Sequence, residues 1–202
     1  MNRIPRWAVA SAVAAPVLLI GGWTIAATRQ PPGYDAVRDT ISALAARGAT
    51  DRWVMTSALA ALGVCYVVTA CGLGQARPAG RTLLVTGGTS TILVAAFPQP
   101  IHGNSVAHTV AATAAFVSLA VWPVFAASPR SNSGLLGMLP SVAATASLLG
   151  LIAWFAAEIH GGQRGLAERC AAGAESLWPL AVVLTTRRAL RRRPAPAPRE
   201  TR

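Results

Sequence analysis

Three histidines are the side chains of this sequence that could bind a metal ion: His102, His108 and His160. Neutral imidazole is a common zinc ligand, and a bound zinc lowers the pKa of its water to about 7 and so supplies a nucleophile. Neither an H-x-x-x-H nor an H-E-x-x-H pattern occurs, so the ligands would have to converge from separate segments. A zinc site is therefore one prediction. The alternative is that each histidine is only hydrogen-bonded near a membrane surface.

Carboxylates accompany the histidines, and Asp39 and Glu158 are the candidates for a general base. Asp39 belongs to the stretch 35–47, in which apolar residues recur at i, i+4 and i+7 and polar residues occupy the opposite face. We predict a short amphipathic helix here, lying along the membrane surface or packed over the bundle mouth, with Asp39 and Ser42 directed into the bundle. A solvated polar face is the alternative.

A further polar group lies at the beginning of the last apolar segment. Arg164, Glu168 and Glu175 share one helical face at i, i+4 and i+11, and Arg169 follows directly after Glu168. The spacing of Arg164 and Glu168 allows them to pair. Glu175 would lie about 13 Å along a helix that begins near residue 166. An ionisable group at that depth indicates a functional site, unless Arg169 or threonines of a neighbouring span satisfy its carboxyl.

Six apolar segments must position these groups, and each is close to the ~20 residues that cross a bilayer. They cover residues 7–27, 53–74, 82–97, 105–127, 135–157 and 166–186. Hydrophobic residues make up 53% of the chain and charged residues only 12%, against about a quarter charged in soluble domains. The first segment is long for a signal peptide and is predicted to remain as a span. We therefore predict an all-α, polytopic bundle of six spans over residues 1–190.

The basic residues predict the orientation of this bundle. All 18 of them are arginines, and the formal net charge is +11. Five crowd directly after the last apolar segment: Arg187, Arg188, Arg191, Arg192 and Arg193. Arginine-rich segments are retained in the cytoplasm, so both termini are predicted inside and the histidines and acids outside. Residues 191–202 are predicted to form a disordered basic cytoplasmic tail. No aromatic residues alternate with the arginines, which argues against a nucleic-acid partner.

Three short motifs stand out along the chain: Asp39-Thr40-Ile41-Ser42-Ala43-Leu44, His108 at the start of the fourth span, and Gly165-Leu166-Ala167-Glu168-Arg169, followed by Trp178. Over roughly residues 7–190 they resemble the bacterial and archaeal membrane family known as domain of unknown function 998. The chain departs from the family at Ala45, where glycine is usual. The resemblance implies a polytopic bundle in the bacterial cytoplasmic membrane, and no established activity.

A weaker similarity is to the membrane hydrolases that include the alkaline ceramidases, which place a serine, an aspartate and three histidines around zinc. The counterparts here would be Ser42, Asp39 and the three histidines. This chain departs from that pattern in having six predicted spans instead of seven and in lacking a paired-histidine motif.

Three functions are compatible with these features. The first is an outward-facing polar pocket that binds a lipid headgroup or small solute and could take part in transport. Its predicted lining is Asp39, Ser42, His108, Arg164, Glu168, Arg169 and Glu175. The second is a metal-dependent hydrolase acting on a lipid, and the third is a structural or accessory subunit. Membrane lipids are the predicted partners, while the sequence specifies neither the ligand nor the oligomeric state.

Overall fold

The structure is a computed structural model that describes residues 3–101, 103–128 and 134–192. Within these ranges the chain forms seven α-helices and no strands, which confirms the all-α class. The helices are α1 (Arg6–Ala27), α2 (Ile41–Leu44), α3 (Trp53–Gly72), α4 (Pro78–Ala96), α5 (Val106–Ala126), α6 (Met138–Ala157) and α7 (Arg164–Arg192). Six of them have between 19 and 29 residues, and they coincide with the six apolar segments of the sequence.

Four helices are long and apolar enough to cross a membrane in the described part of the chain: α1, α3, α5 and α6. They indicate a membrane-embedded protein. The other two long helices are more polar: α4 contains several threonines and glycines, and α7 carries two glutamates near its start and arginines near its end. Large apolar side chains such as Trp7, Val17, Trp53 and Leu139 are exposed on the bundle surface. Such a surface is stable against lipid, where burial from water does not drive helices together.

The six long helices form a closed ring. Each packs against its neighbours in the order α1, α3, α4, α5, α6 and α7, and α7 packs against α1. The α3–α4 pair approaches closely because Gly63 and Gly88 face each other: a β-carbon on Gly88 would lie 2.6 Å from the carbonyl oxygen of Gly63. Small residues allow helix backbones to come this near in a membrane. The ring therefore encloses a narrow interior.

Neighbouring helices of the ring run antiparallel, so the bundle has two distinct ends. We call the end that holds the start of α3, α5 and α7 the acidic end, because Asp35, Asp39, Asp51, Glu158 and Glu168 lie there. The opposite end, which holds Arg77, Arg81 and the end of α7, is the arginine end. At the arginine end Arg81 donates hydrogen bonds to the carbonyls of Ala70 (2.9 Å) and Cys71 (3.4 Å), the last turn of α3.

The predicted amphipathic helix over residues 35–47 is wrong in extent, because only Ile41–Leu44 is helical. Residues 36–39 form a turn in which the carboxylate of Asp35 accepts from Val37 N (2.8 Å) and that of Asp39 accepts from Asp35 N (2.9 Å). These local bonds compete with helix formation, as aspartate side chains commonly do. The side chains of residues 35–47 have helical spacing, but backbone groups of this segment form hydrogen bonds other than those of an α-helix.

The last helix also differs from its predicted limits. It continues past residue 186 to Arg192, so the first two residues of the predicted tail, 191 and 192, are helical. Residues 193–202, which make up the rest of that predicted tail, lie outside the described residues.

Candidate functional site

The segment before α2 is held against the first turns of α7 by Arg169. Its guanidinium donates to the carbonyls of Ala36 (2.7 Å), Asp39 (2.7 Å) and Gly165 (2.9 Å) and to the hydroxyl of Tyr34 (2.5 Å). The carbonyls of Ala36 and Asp39 are among those that an α-helix over residues 35–47 would have used internally. Burial raises the pKa of the Tyr34 phenol, although the neighbouring guanidinium acts in the opposite direction. The phenol therefore stays neutral, and its oxygen accepts a hydrogen bond from the Arg169 guanidinium.

Two features of α7 allow the segment to come so near. Gly165 has no side chain, and a β-carbon there would overlap the carbonyl oxygen of Asp39 and lie 2.7 Å from that of Ala36. The amide of Leu166, one of the free donors in the first turn of the helix, donates to the carbonyl of Val37 (3.0 Å). Two of the three motifs that carry the family resemblance, residues 39–44 and 165–169, therefore approach each other closely at Asp39 and Gly165.

Glu168 lies at the centre of this contact and is only 4% exposed. Its Oε2 accepts from the amide of Ile41, and its Oε1 accepts from the Ser42 hydroxyl at 3.1 Å. Thr40 caps α2 through its side chain, which accepts from Ala43 N (3.1 Å) and fixes the direction of the helix. Both oxygens of a buried carboxyl thus have partners, as burial requires.

His108 extends the same hydrogen-bond chain from α5. Its Nδ1 must donate to the carbonyl of Phe97 (2.9 Å), and its Nε2 lies 3.2 Å from the Ser42 hydroxyl. Two arrangements of the same number of protons give hydrogen-bond partners to the Glu168 carboxyl, the Ser42 hydroxyl and both nitrogens of His108. In one, ionised Glu168 accepts from Ser42, which accepts from imidazolium; in the other, neutral Glu168 donates to Ser42, which donates to neutral His108. A proton can therefore move between Glu168 and His108 through Ser42 without a change in the net charge of the three residues.

The geometry around Ser42 is not that of a nucleophilic serine. A hydroxyl beside a histidine nitrogen has one element of such a site, but an acyl intermediate also needs amide donors for its oxyanion. The amide before Ser42, that of Ile41, binds Glu168, and the amide after it, that of Ala43, binds Thr40. Moreover, a carboxyl on the far side of the hydroxyl would repel a developing oxyanion. Ser42 instead connects Glu168 to His108.

A cavity of about 60 Å³ lies inside the ring, next to the hydrogen-bonded residues Ser42 and Glu168. Apolar residues of α1, α3, α4 and α5 form most of its wall. The polar groups on it are Ser42, Tyr66, Thr91, Glu168 and Glu175. At ~10–15 Å³ per water the volume corresponds to a few water molecules or a small solute group. None of the described arginines or histidines lines it.

Glu175 is the second carboxyl of the cavity, two turns further along α7 than Glu168. It is 2% exposed, and its Oε1 has no hydrogen-bond partner among the described residues. The sequence predicted that Arg169 or threonines could satisfy this group. Arg169 is instead bound to the segment at residues 34–39, and although Thr91 lines the same cavity, its hydroxyl donates to the carbonyl of Gly87 (2.8 Å). A buried carboxyl oxygen without a partner is unusual and requires an explanation.

The structure brings together only part of the predicted site. Ser42 is hydrogen-bonded to both His108 and Glu168, and Glu175 shares a cavity with Ser42 and Glu168. Arg169 binds the adjacent segment at residues 34–39. Asp39 faces away from the cavity and lies 3.9 Å from Arg164, whose Nε also donates to the carbonyl of Arg38 (2.8 Å). The predicted pairing of Arg164 with Glu168 is therefore replaced by contacts of each residue with the segment before α2.

The remaining candidates for catalysis and metal binding lie apart from this site. Glu158 accepts from Gln163 N (3.0 Å) in the connection between α6 and α7, and His160 is exposed there. His102 lies outside the described residues. In the part of the chain that the structure describes, no three histidine, cysteine or acidic side chains come together in a way that could hold a metal ion.

Several residues of the site were not predicted from the sequence. Thr40 had a detectable signal, because a threonine directly before an apolar helical run is a common cap. Tyr34 and Phe97 contribute a hydroxyl and a backbone carbonyl that no sequence pattern distinguishes. Tyr66 lies within an apolar span, where it was indistinguishable from an ordinary packing residue.

Comparison with known proteins yields one match. A family model described as "Protein of unknown function (DUF998)" matches residues 12–185, which include all three of the motifs discussed above. No curated protein and no solved structure matches the chain.

Proposed function

Since the chain belongs to the DUF998 family, we propose on the geometry of its own side chains that it is a multi-pass membrane protein that binds a small solute or a lipid headgroup. The binding site is the cavity between Ser42, Glu168 and Glu175 at the acidic end of the ring. A role in transport of the ligand is part of this proposal.

The observation that carries the proposal is the unpartnered Oε1 of Glu175 in the cavity wall. An unsatisfied buried acceptor costs roughly 1–3 kcal/mol, and an ionisable group inside a membrane bundle usually serves a substrate or ion. A ligand with a hydrogen-bond donor would remove this cost on binding. Glu168 has no such need, because Ile41 and Ser42 already occupy its oxygens.

The experiment is a thermal-unfolding titration of the full chain in lipid nanodiscs. The probes are methylammonium, glycerol and acetate, which present a cation, a neutral donor and an anion. A ligand at 100 times its Kd should stabilise the protein by about 2.7 kcal/mol. We expect methylammonium or glycerol to raise the melting temperature, acetate to have no effect, and Glu175→Gln to reduce the shift. Glu158→Gln is the matched control. Absence of any shift with all three probes would refute the pocket.

We also propose that all six long helices span the bacterial cytoplasmic membrane, with both termini in the cytoplasm. The closed ring supports this proposal: α4 and α7 each pack between two neighbours, and both neighbours are apolar enough to cross the bilayer. Glu168 and Glu175 of α7 are turned inward, where lipid does not reach them. The arginines at the end of α7 then lie on the cytoplasmic side, as arginine-rich segments do.

Labelling of single cysteines with a membrane-impermeant maleimide tests this topology. Four exposed positions flank α4 and α7. Gly74 and Ile101 lie before and after α4, and Gly162 and Arg192 lie before α7 and at its end. We expect cysteines at 101 and 162 to react in intact cells, and cysteines at 74 and 192 only in inverted vesicles. Reaction of 74 and 101 from the same side would show that α4 does not cross. The background chain carries alanine at Cys65, Cys71 and Cys170.

A further inference from the structure

We propose that the ligand of the cavity is a small ammonium group and that it enters in exchange for the proton of Glu175. This inference rests on the proposed function and names its substrate class and its coupling. The carboxylic acid of Glu175 gives up its proton, the carboxylate pairs with R–NH₃⁺, and one H⁺ leaves for solvent. Charge inside the cavity is therefore the same before and after binding.

The first support is the charge of the wall. Among the residues that the structure describes, the titratable side chains that line the cavity are Glu168 and Glu175 of α7 and Tyr66 of α3. The helices α1, α2, α4 and α5 contribute Leu19, Ser42, Val94, Phe116 and similar uncharged residues. A site that has two acids and no base among its lining residues accommodates a cation and rejects an anion.

The second support is the isolation of Glu175. A carboxylate buried without a donor or a cation is an uncompensated charge, which proteins avoid by keeping the group protonated. Before a ligand binds, Glu175 is therefore a neutral carboxylic acid. An ammonium group supplies three donors and a positive charge at once, so its arrival permits Glu175 to ionise and releases the proton.

The third support is the difference between the hydrogen-bond partners of Glu168 and those of Glu175. Glu168 accepts from the Ile41 amide and the Ser42 hydroxyl, and its proton can pass to His108 through Ser42 without leaving the chain. Glu175 is not part of such a chain, and any proton it loses must leave through the cavity. The exchange is therefore assigned to Glu175.

Isothermal titration calorimetry measures the exchange directly. The full chain in phosphatidylglycerol nanodiscs is titrated with methylammonium chloride in buffers of different ionisation enthalpy, which yields the number of protons released per ligand. We expect about one proton for the wild type, none for Glu175→Gln, and about one for the control Glu158→Gln, whose side chain does not line the cavity. Affinity for the wild type should rise about tenfold per unit of pH while Glu175 is protonated in the empty protein. Size-exclusion profile and thermal unfolding show whether each variant is folded.

The outcomes separate this inference from the function on which it rests. Methylammonium binding without proton release, or release that persists in Glu175→Gln, overturns the exchange and leaves the pocket in place. Binding of glycerol alone does the same. Failure of every probe refutes both proposals.

A second arm identifies the source of the ammonium group. Phosphatidylethanolamine added to the nanodiscs should compete with methylammonium if the natural ligand is the lipid headgroup. Absence of competition, with free ethanolamine still bound, assigns the site to a soluble amine. Either result supports an ammonium site, whereas binding of neither ethanolamine nor its lipid would overturn it.

Discussion

The hydroxyl of Ser42 donates a hydrogen bond of 3.1 Å to the carboxyl of Glu168 in one of its two proton arrangements, although 126 positions of sequence separate the two residues. This contact closes the acidic end of the bundle, since it fastens the short helix α2 to the first turns of the last helix. The predictions below follow from this contact and from the packing that permits it.

Removal of the Glu168 carboxyl should destabilise the protein. In Glu168→Ala the amide of Ile41 and the hydroxyl of Ser42 lose a buried partner, and each loss costs roughly 1–3 kcal/mol. We expect a decrease of about 2–4 kcal/mol in the free energy of unfolding, measured by denaturant titration in detergent. Glu158→Ala, which removes a half-buried carboxyl bound to one amide, should cost less than about 1 kcal/mol. Equal losses in the two variants would contradict the role of Glu168.

Arg169→Lys should loosen the segment before α2 although it preserves the charge. The planar guanidinium reaches three carbonyls and the Tyr34 hydroxyl at once, whereas the point-like ammonium of lysine cannot reproduce that fork. We expect faster cleavage by trypsin after Arg38, followed by mass spectrometry of the fragments.

The control for that experiment is Arg29→Lys, because Arg29 makes an exposed ion pair with Asp51 (3.3 Å) that contributes little. Its cleavage rate after Arg38 should equal that of the wild type. An unchanged rate in Arg169→Lys would show that the segment is held by other contacts.

Gly63→Ala should destabilise the bundle. A β-carbon at this position would overlap the carbonyl oxygen of Gly88 and lie 2.7 Å from the side chain of Ile92, so α3 and α4 would have to separate. Overpacking of this kind costs about 1–3 kcal/mol. Gly150→Ala in α6 has open space around it and should stabilise the protein by up to about 1 kcal/mol. Thermal unfolding of both variants should therefore show shifts of opposite sign.

His108→Ala distinguishes the pocket from the metal-dependent hydrolase. The variant removes a donor to the Phe97 carbonyl and a partner of Ser42, which should cost about 1–3 kcal/mol. If His108 belongs only to the hydrogen-bond chain, elemental analysis should give the same zinc content for wild type and variant. About one zinc per chain in the wild type, lost in the variant, would instead support the hydrolase.

The hydrophobic pattern was sufficient for the architecture, because six apolar segments near 20 residues leave few alternatives to a helical bundle. It failed at residues 35–40, where side-chain spacing is helical but Arg169, from the other end of the chain, takes carbonyls that a helix would need. The same long-range effect replaced the Arg164–Glu168 pair. Such competition depends on which backbone groups meet in three dimensions, and spacing along one segment contains no information about it.

The candidate site shows a similar division. The position of Glu175 along its helix followed from a rise of ~1.5 Å per residue. Its burial inside the ring, at 2% exposed, is a separate finding of the structure. That its Oε1 lacks a partner could not be predicted, because this depends on the orientation of Tyr66 and Thr91 on other helices. The connection of His108 to Glu168 through one serine was equally invisible, since it joins three segments that are distant in sequence.

The order of helices around the ring has a consequence for biosynthesis. The helices α3, α4 and α5 pack against their neighbours in the chain and can associate as they leave the ribosome, whereas the site needs the last helix. A nascent chain that ends before Arg164 contains the segment at residues 34–42 but neither Arg169 nor Glu168, so the carbonyls and the amide that these residues bind have no partner in the growing chain. Packing of α7 against α1 and α6 then completes the ring and supplies the partners of that segment in one step. Protection of Arg38 from protease would thus report that α7 has been synthesised and has packed against the segment.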